Sequence, residues 1–224
     1  MKPISIRGKD DRLIYRDTSY PWVCVCRIMS GARVGSGVLI GPRHVLTASH
    51  VVDWNAGSAV VELHRFDASF VGGCCVSRLS AFTKLDNVES DTVDEDYAVL
   101  TLTDRLGDRF GWMGSRTYDS AWDEEPWWRT IGYPQDLGTT NGMRPTYERD
   151  FDLDEDALDY GSARAMTCGA DLMPGHSGGP IFGFWDNSPY VVAVVSSQGD
   201  DDNNYCSGGS WLPKLVNEAL AIDP

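Results

Sequence analysis

Helical periodicity is nearly absent from this chain of 224 residues, and that constrains the fold more than any other feature. In its place come short β-branched or aromatic runs cut by Gly, Pro, Asn and Asp, the pattern of strands rather than helices. A first set falls at 22–29, 35–40, 44–48, 59–64, 75–81 and 97–102, and a second at 127–132, 163–167, 180–185 and 190–196. Between them, residues 105–126 are polar and lack alternation, which reads as a linker joining two β units, 1–115 and 116–224. Only the C-terminus predicts a helix. There Leu212, Leu215, Val216, Ala219 and Leu220 recur at helical spacing, and Pro213 suits a first turn.

Composition narrows the partners. A formal net charge of −14 argues against nucleic acid, because phosphate binding needs a basic surface. The longest apolar runs, such as 191–195, are far short of the ~20 residues that span a bilayer, so no membrane partner is expected. The start, Met1-Lys2-Pro3-Ile4, lacks the apolar stretch of a secretion signal; a secreted protein is the expectation, with an intracellular one as the alternative. Acidic patches at 86–97, 148–160 and 199–204 read as solvated loops. Asp150, Asp152, Asp154 and Asp156 alternate as calcium ligands do, but Glu155 and Gly161 stand where such a loop needs glycine and glutamate. The six cysteines match no zinc spacing, so no metal or other cofactor is expected; buried free thiols are the default. Under oxidising conditions Cys168 and Cys206 are the pair to join, since they flank the two C-terminal segments.

Chemistry is concentrated in "DLMPGHSGGPIFGF", 171–184. Ser177 is flanked by glycines that permit positive φ, so the N–H groups of Gly175 and Ser177 can converge on one point, as an oxyanion hole requires. His176 is its neighbour in the chain and the first candidate for the base that a serine nucleophile needs. Two further segments bear on that choice: "GSGVLIGPRHVLTASHVV", 35–52, and "DEDYAVLTL", 94–102.

Taken in the order His, Asp, Ser, the three segments resemble the trypsin-like serine peptidases of the chymotrypsin fold. "Thr-Ala-Ser-His", "Asp-Tyr-Ala-Val-Leu" and "Gly-His-Ser-Gly-Gly-Pro" stand for that family's three motifs, and residues 8–28 with "DLMPGHSGGP" are similar to its glutamyl-endopeptidase-like branch. The resemblance implies an all-β fold of two packed six-stranded antiparallel barrels with the active site between them. It implies Ser177 as nucleophile, His50 as general base and Asp96 as the group that orients His50, with Gly175 and Ser177 forming the oxyanion hole. Among the histidines, 44 and 64 are rivals, but His50 ends its strand where the cleft would lie. Of the aspartates 86, 91, 94 and 96, only Asp96 directly precedes a buried-strand pattern. His176 occupies the position where animal trypsins carry an aspartate that pairs with a newly released N-terminus, so that activation scheme is not expected. Its side chain is expected to point away from the cleft.

Specificity follows the same resemblance. Asp171, six residues before Ser177, matches the trypsins' pocket aspartate, and Ser196, Ser197 and Gly199 match the strand that pairs with bound peptide. Basic substrate side chains rank slightly ahead of apolar ones. The expected partner is a protein or peptide substrate, the protein itself is expected to be a monomer, and the competing reading is an inactive binding module that keeps the fold.

Overall fold

The computed structural model describes residues 4–6, 8–137, 143–155, 162–199 and 203–224. A short strand, β1 (Leu13–Ile14), precedes six that form the first barrel: β2 (Val25–Ser30), β3 (Arg33–Gly41), β4 (His44–Thr47), β5 (Val60–Leu63), β6 (Gly72–Ser80) and β7 (Ala98–Leu102). They close in the order β2-β3-β4-β7-β6-β5, each pair antiparallel. All positions of β4 and β7 are buried, because one face fills the barrel and the other lies beneath the rest of the protein.

A single-turn helix, α1 (Leu106–Phe110), and β8 (Gly114–Ser115) lead to the second sheet. This contains β9 (Trp128–Gly132), β10 (Thr146–Phe151), β11 (Leu153–Glu155), β12 (Ala163–Cys168), β13 (Pro180–Trp185), β14 (Ser188–Gln198) and β15 (Asn204–Gly209), and the chain ends in α2 (Trp211–Ile222). The strand order is β1-β10-β9-β13-β14-β15-β12-β11, with β8 parallel to β14. Only Asp152 separates β10 from β11, so one bent strand lies next to β1 near one end of that path and forms its other end, curling the sheet into the second, barrel-like half. The bend falls at a register shift between Arg149 and Phe151, where Asp150 takes φ +64°.

Several expectations need correction. Residues 146–155 are strand rather than solvated loop: Thr146, Glu148, Phe151 and Leu153 face inward while the acidic neighbours hide that pattern in the sequence. Asp150, Asp152 and Asp154 therefore lie along a strand rather than around a calcium loop, and Asp156 is outside the described residues. The segment 105–126 holds α1, β8 and a short 3-10 turn at Ser120–Trp122 instead of a plain linker. Residues 22–24 form a 3-10 turn, not strand, and β15 was not foreseen. The N-terminal arm crosses over, since β1 pairs with β10 of the second barrel.

The barrels meet in a shared apolar cluster, and a second cluster fills the second barrel. Phe182, Val191, Val194 and Ile131 of the second pack in the same cluster as Val38, Leu46 and Leu100 of the first, and α2 adds Leu212, Leu215 and Val216. All six cysteines are free thiols; Cys168 and Cys206 lie in one apolar cluster on adjacent strands, where burial and a hydrogen bond to Cys168 push the Cys206 thiol well up. No helix among the described residues is long and apolar enough to cross a membrane.

Because Phe182, which is fully buried, packs in the cluster that draws on both barrels, truncating it should loosen both together. Phe182→Ala is expected to lower unfolding free energy by about 3–5 kcal/mol in urea titration while keeping a single transition. Two separated transitions would show that the barrels are energetically independent.

Candidate active site

β4 runs out through Thr47 and Ala48 into a 3-10 turn, Ser49–Val51, which sets His50 at the edge of the first barrel. A second such turn, Val93–Glu95, delivers Asp96 just ahead of β7, and β7 pairs with β4. The pairing brings the two residues together: Asp96 Oδ2 lies 2.6 Å from His50 Nδ1, and Oδ1 accepts the His50 backbone N–H at 2.9 Å. Ser196 Oγ, from the second barrel, donates to Oδ2 at 2.5 Å. Asp96 is fully buried. Burial pushes its carboxyl upward, but the facing His50 and the donated hydrogen bonds outweigh that and hold it below its ordinary value. An ionised Asp96 fixes the proton on His50 Nδ1 and leaves Nε2 as an acceptor.

The other histidines lie elsewhere. His44 is buried, with its pKa lowered by desolvation, and His64 stacks on Tyr15 at 5.4 Å between ring centres. Asp86 pairs with Arg33, Asp91 is exposed and Asp94 is buried.

Ser177 lines the same cleft as His50, together with Pro174, Gly175, Ser196 and Ser197, in a cavity of about 490 Å³. Its Oγ makes a long contact, 3.4 Å, to the Ser196 carbonyl. The loop that carries it is pinned through its carbonyls: Pro174 O accepts Gln135 N–H at 2.8 Å, Gly175 O accepts Ser36 Oγ at 2.7 Å, and His176 O accepts Gly179 N–H at 2.7 Å. In a trans peptide the N–H points opposite to the carbonyl. Anchoring Pro174 O and His176 O therefore directs the N–H groups of Gly175 and Ser177 away from those anchors. Gly175 takes φ +104°, and a Cβ there would collide with the Tyr133 carbonyl, so only glycine fits.

His176 is turned away from this cleft. Its Nδ1 accepts the Met173 N–H at 2.8 Å, which places the ring proton on Nε2 facing Thr146 Oγ1 at 2.7 Å. Burial, reinforced by Arg12, lowers its pKa to about 3, so the ring is neutral near pH 7.

Asp171 does not line the cleft with Ser177. It accepts the Asp11 N–H at 3.2 Å and faces a separate cavity with Lys9, Asp11 and Glu148. Carboxylate oxygens of Asp11, Glu148 and Asp171 lie within 4.8 Å of one another. Burial raises Glu148 to about 8, although the Asp171 N–H donates to its carboxyl and works the other way. Ser196 and Ser197 are in the cleft, whereas Gly199 turns the adjoining hairpin, its N–H bonded to Asn203 O at 2.8 Å. Sequence reasoning missed Ser36, Gln135 and Ile4. The glycines on both sides of Ser36 were a readable sign of close approach; nothing marked the other two.

A family model described as Trypsin matches residues 14–210. The chain belongs to the trypsin family. A glutamyl endopeptidase of Bacillus licheniformis is 28% identical over 184 residues, covering 80% of this chain; the chain spans about half of that relative's length, 54%. Among solved structures, a Glu endopeptidase in complex with MPD superposes with a TM-score of 0.79 at 19% identity, covering 96% of this chain and 99% of that one. The protease Anisep from Arthrobacter nicotinovorans gives 0.65 at 19% identity, covering 90% and 97%. These likenesses carry the fold: a chymotrypsin-like pair of barrels.

The Glu148 shift has a signed consequence. With a folded pKa of about 8 against an ordinary 4.5, this group favours the fold fully below pH 4.5, and the contribution is lost as pH rises through 8. Glu148→Gln keeps the neutral form, so its melting temperature should match the parent near pH 4.5 and exceed it by several degrees at pH 8.5. An equal difference at both pH values would mean that Glu148 is ionised in the folded protein.

Proposed function

We propose that this chain is a serine endopeptidase that cleaves peptide bonds through an acyl-enzyme, with Ser177 as nucleophile, His50 as general base and Asp96 as its orienting partner. The observation that carries the reading is the convergence of His50 and Asp96 from the first barrel with Ser177 from the second on one cleft, His50 Nδ1 held 2.6 Å from Asp96. Nε2 of His50 takes the Ser177 proton as Oγ attacks the substrate carbonyl, then returns it to the leaving amine. The N–H groups of Gly175 and Ser177 stabilise the tetrahedral oxyanion, preset by the pinned carbonyls so that little reorganisation is needed during reaction. Substrate pairs as an extra strand along Ser196 and Ser197. His176 takes no part in proton transfer, since both its ring nitrogens are engaged away from the cleft.

The division at 115/116 belongs to this proposal: residues 1–115 hold His50 and Asp96, residues 116–224 hold Ser177, and the arm through Leu13–Ile14 reaches across to the second barrel. So do action on protein or peptide substrates, the monomeric state and secretion.

A fluorophosphonate probe tests the reading. Labelling is expected at Ser177, absent in Ser177→Ala, and slowed at least ~10³-fold in His50→Ala, because the serine loses its base. His176→Asn should keep most of the rate. A folded parent protein that never labels would favour the inactive binding module instead.

A further inference from the structure

Asp171 and the strand residues Ser196 and Ser197, expected to contact the substrate side chain, lie beside Leu172 and Gln198, and these two stretches do not face an open slot. The chain's own arm stands between them. Ser5 N–H donates to Asn204 Oδ1 at 3.1 Å, and Ser5 O accepts from Asn204 Nδ2 at 2.8 Å and from Leu172 N–H at 3.3 Å. Gln198 Nε2 donates to Ser5 Oγ at 2.6 Å. Further along the arm, Asp11 N–H bonds to Asp171, and the buried Arg12 guanidinium clasps Asp136 at 2.7 Å, next to Gln135 of the cleft. Thus Ser5 is bonded to both walls, and the arm is clamped again downstream.

These bonds place Ile4 in the cleft. It lines the same cavity as Ser177, His50, Ser196 and Ser197, yet only 3% of its surface is exposed, and it packs in the apolar cluster containing Ala170, Leu172 and Val195. We infer that Ile4 is the floor of the primary specificity pocket, making that pocket shallow and apolar and selecting small apolar side chains, alanine or valine, on the acyl side of the scissile bond. The inference rests on the serine-peptidase reading and assigns its substrate class.

The chemistry of the walls supports it. The amide groups of Gln198 and Asn204, which a polar substrate side chain could have met, are bonded to Ser5, and Asn204 also donates to Ala170 O at 3.1 Å. A long basic side chain aimed at Asp171 would have to displace Ser5 from Leu172, since Asp171 faces the separate cavity behind the arm. The earlier ranking of basic above apolar substrates is reversed here because its anchor lies outside the cleft.

Hydrolysis of a peptide set varying only that residue (Ala, Val, Leu, Phe, Lys, Glu) tests the inference, with fluorophosphonate labelling run on each protein. The parent is expected to favour Ala and Val. Ile4→Ala should raise kcat/KM for Leu relative to Ala by roughly 10- to 100-fold, the range that one or two methylenes command in such a pocket. Ile4→Phe should depress Val, and labelling at Ser177 in each protein reports that the site is assembled. Normal labelling with an unchanged side-chain profile in Ile4→Ala, or a parent that prefers Lys or Glu, would overturn the floor while leaving the catalytic reading intact. Absence of both labelling and turnover in the parent would overturn both.

Discussion

Ser36 ties the two halves of the site together. It sits on β3 of the first barrel, fully buried, yet its contacts reach the second: its hydroxyl donates to Gly175 O and accepts the Tyr133 N–H, and its own N–H donates to Ser177 O. Its carbonyl, meanwhile, accepts Thr47 Oγ1 from β4, the strand that leads to His50. One residue thus fixes the backbone at Ser177, the loop beside it and the approach to His50. Such a hub is hard to replace in a dry interface, because each orphaned polar group there costs about 1–3 kcal/mol. Its weight is geometric, because it holds residues of the two barrels in a fixed register.

Asp96 carries the second bond across that interface. A carboxylate removed from water is strongly disfavoured unless donors replace the solvent. Here the donors come from both sides, His50 N–H and Nδ1–H from the first barrel and Ser196 Oγ from the second. The charge that orients His50 is therefore best satisfied only when the barrels are docked. His176 illustrates the opposite solution: buried beside Ser177 with its ring neutral, it braces the loop through Met173 and Thr146 and needs no counter-charge.

What the sequence made legible follows from the scale of each signal. Strands such as β3, β4, β7, β13 and β14 are apolar enough to read directly, and the three short motifs fall where those strands end. The bent strand β10–β11 was hidden because its outward positions carry dense acid, and the eye takes acid for loop although Phe151 and Leu153 point inward. β15, "NYCSGG", was hidden because small polar residues can be buried when every backbone group is paired on both sides, by β12 and β14. Neither failure disturbed the placement of His50, Asp96 and Ser177, since each of these is held by a local turn at the end of a readable strand.

Asp171 shows where spacing ceases to be a guide. A position six residues before a serine fixes how far along the chain a carboxylate lies, but which way it faces depends on what competes for the space around it. Here the N-terminal arm, far away in sequence, takes the slot through Ser5 and Ile4, and Asp11 on the same arm offers its N–H to the Asp171 carboxylate. Burying Ile4 among Ala170, Leu172 and Val195 removes apolar surface from water, and Ser5 adds hydrogen bonds to the amides of Asn204 and Gln198. Both effects favour the arm in place over an empty slot, so this pocket is shaped by a segment that no motif includes.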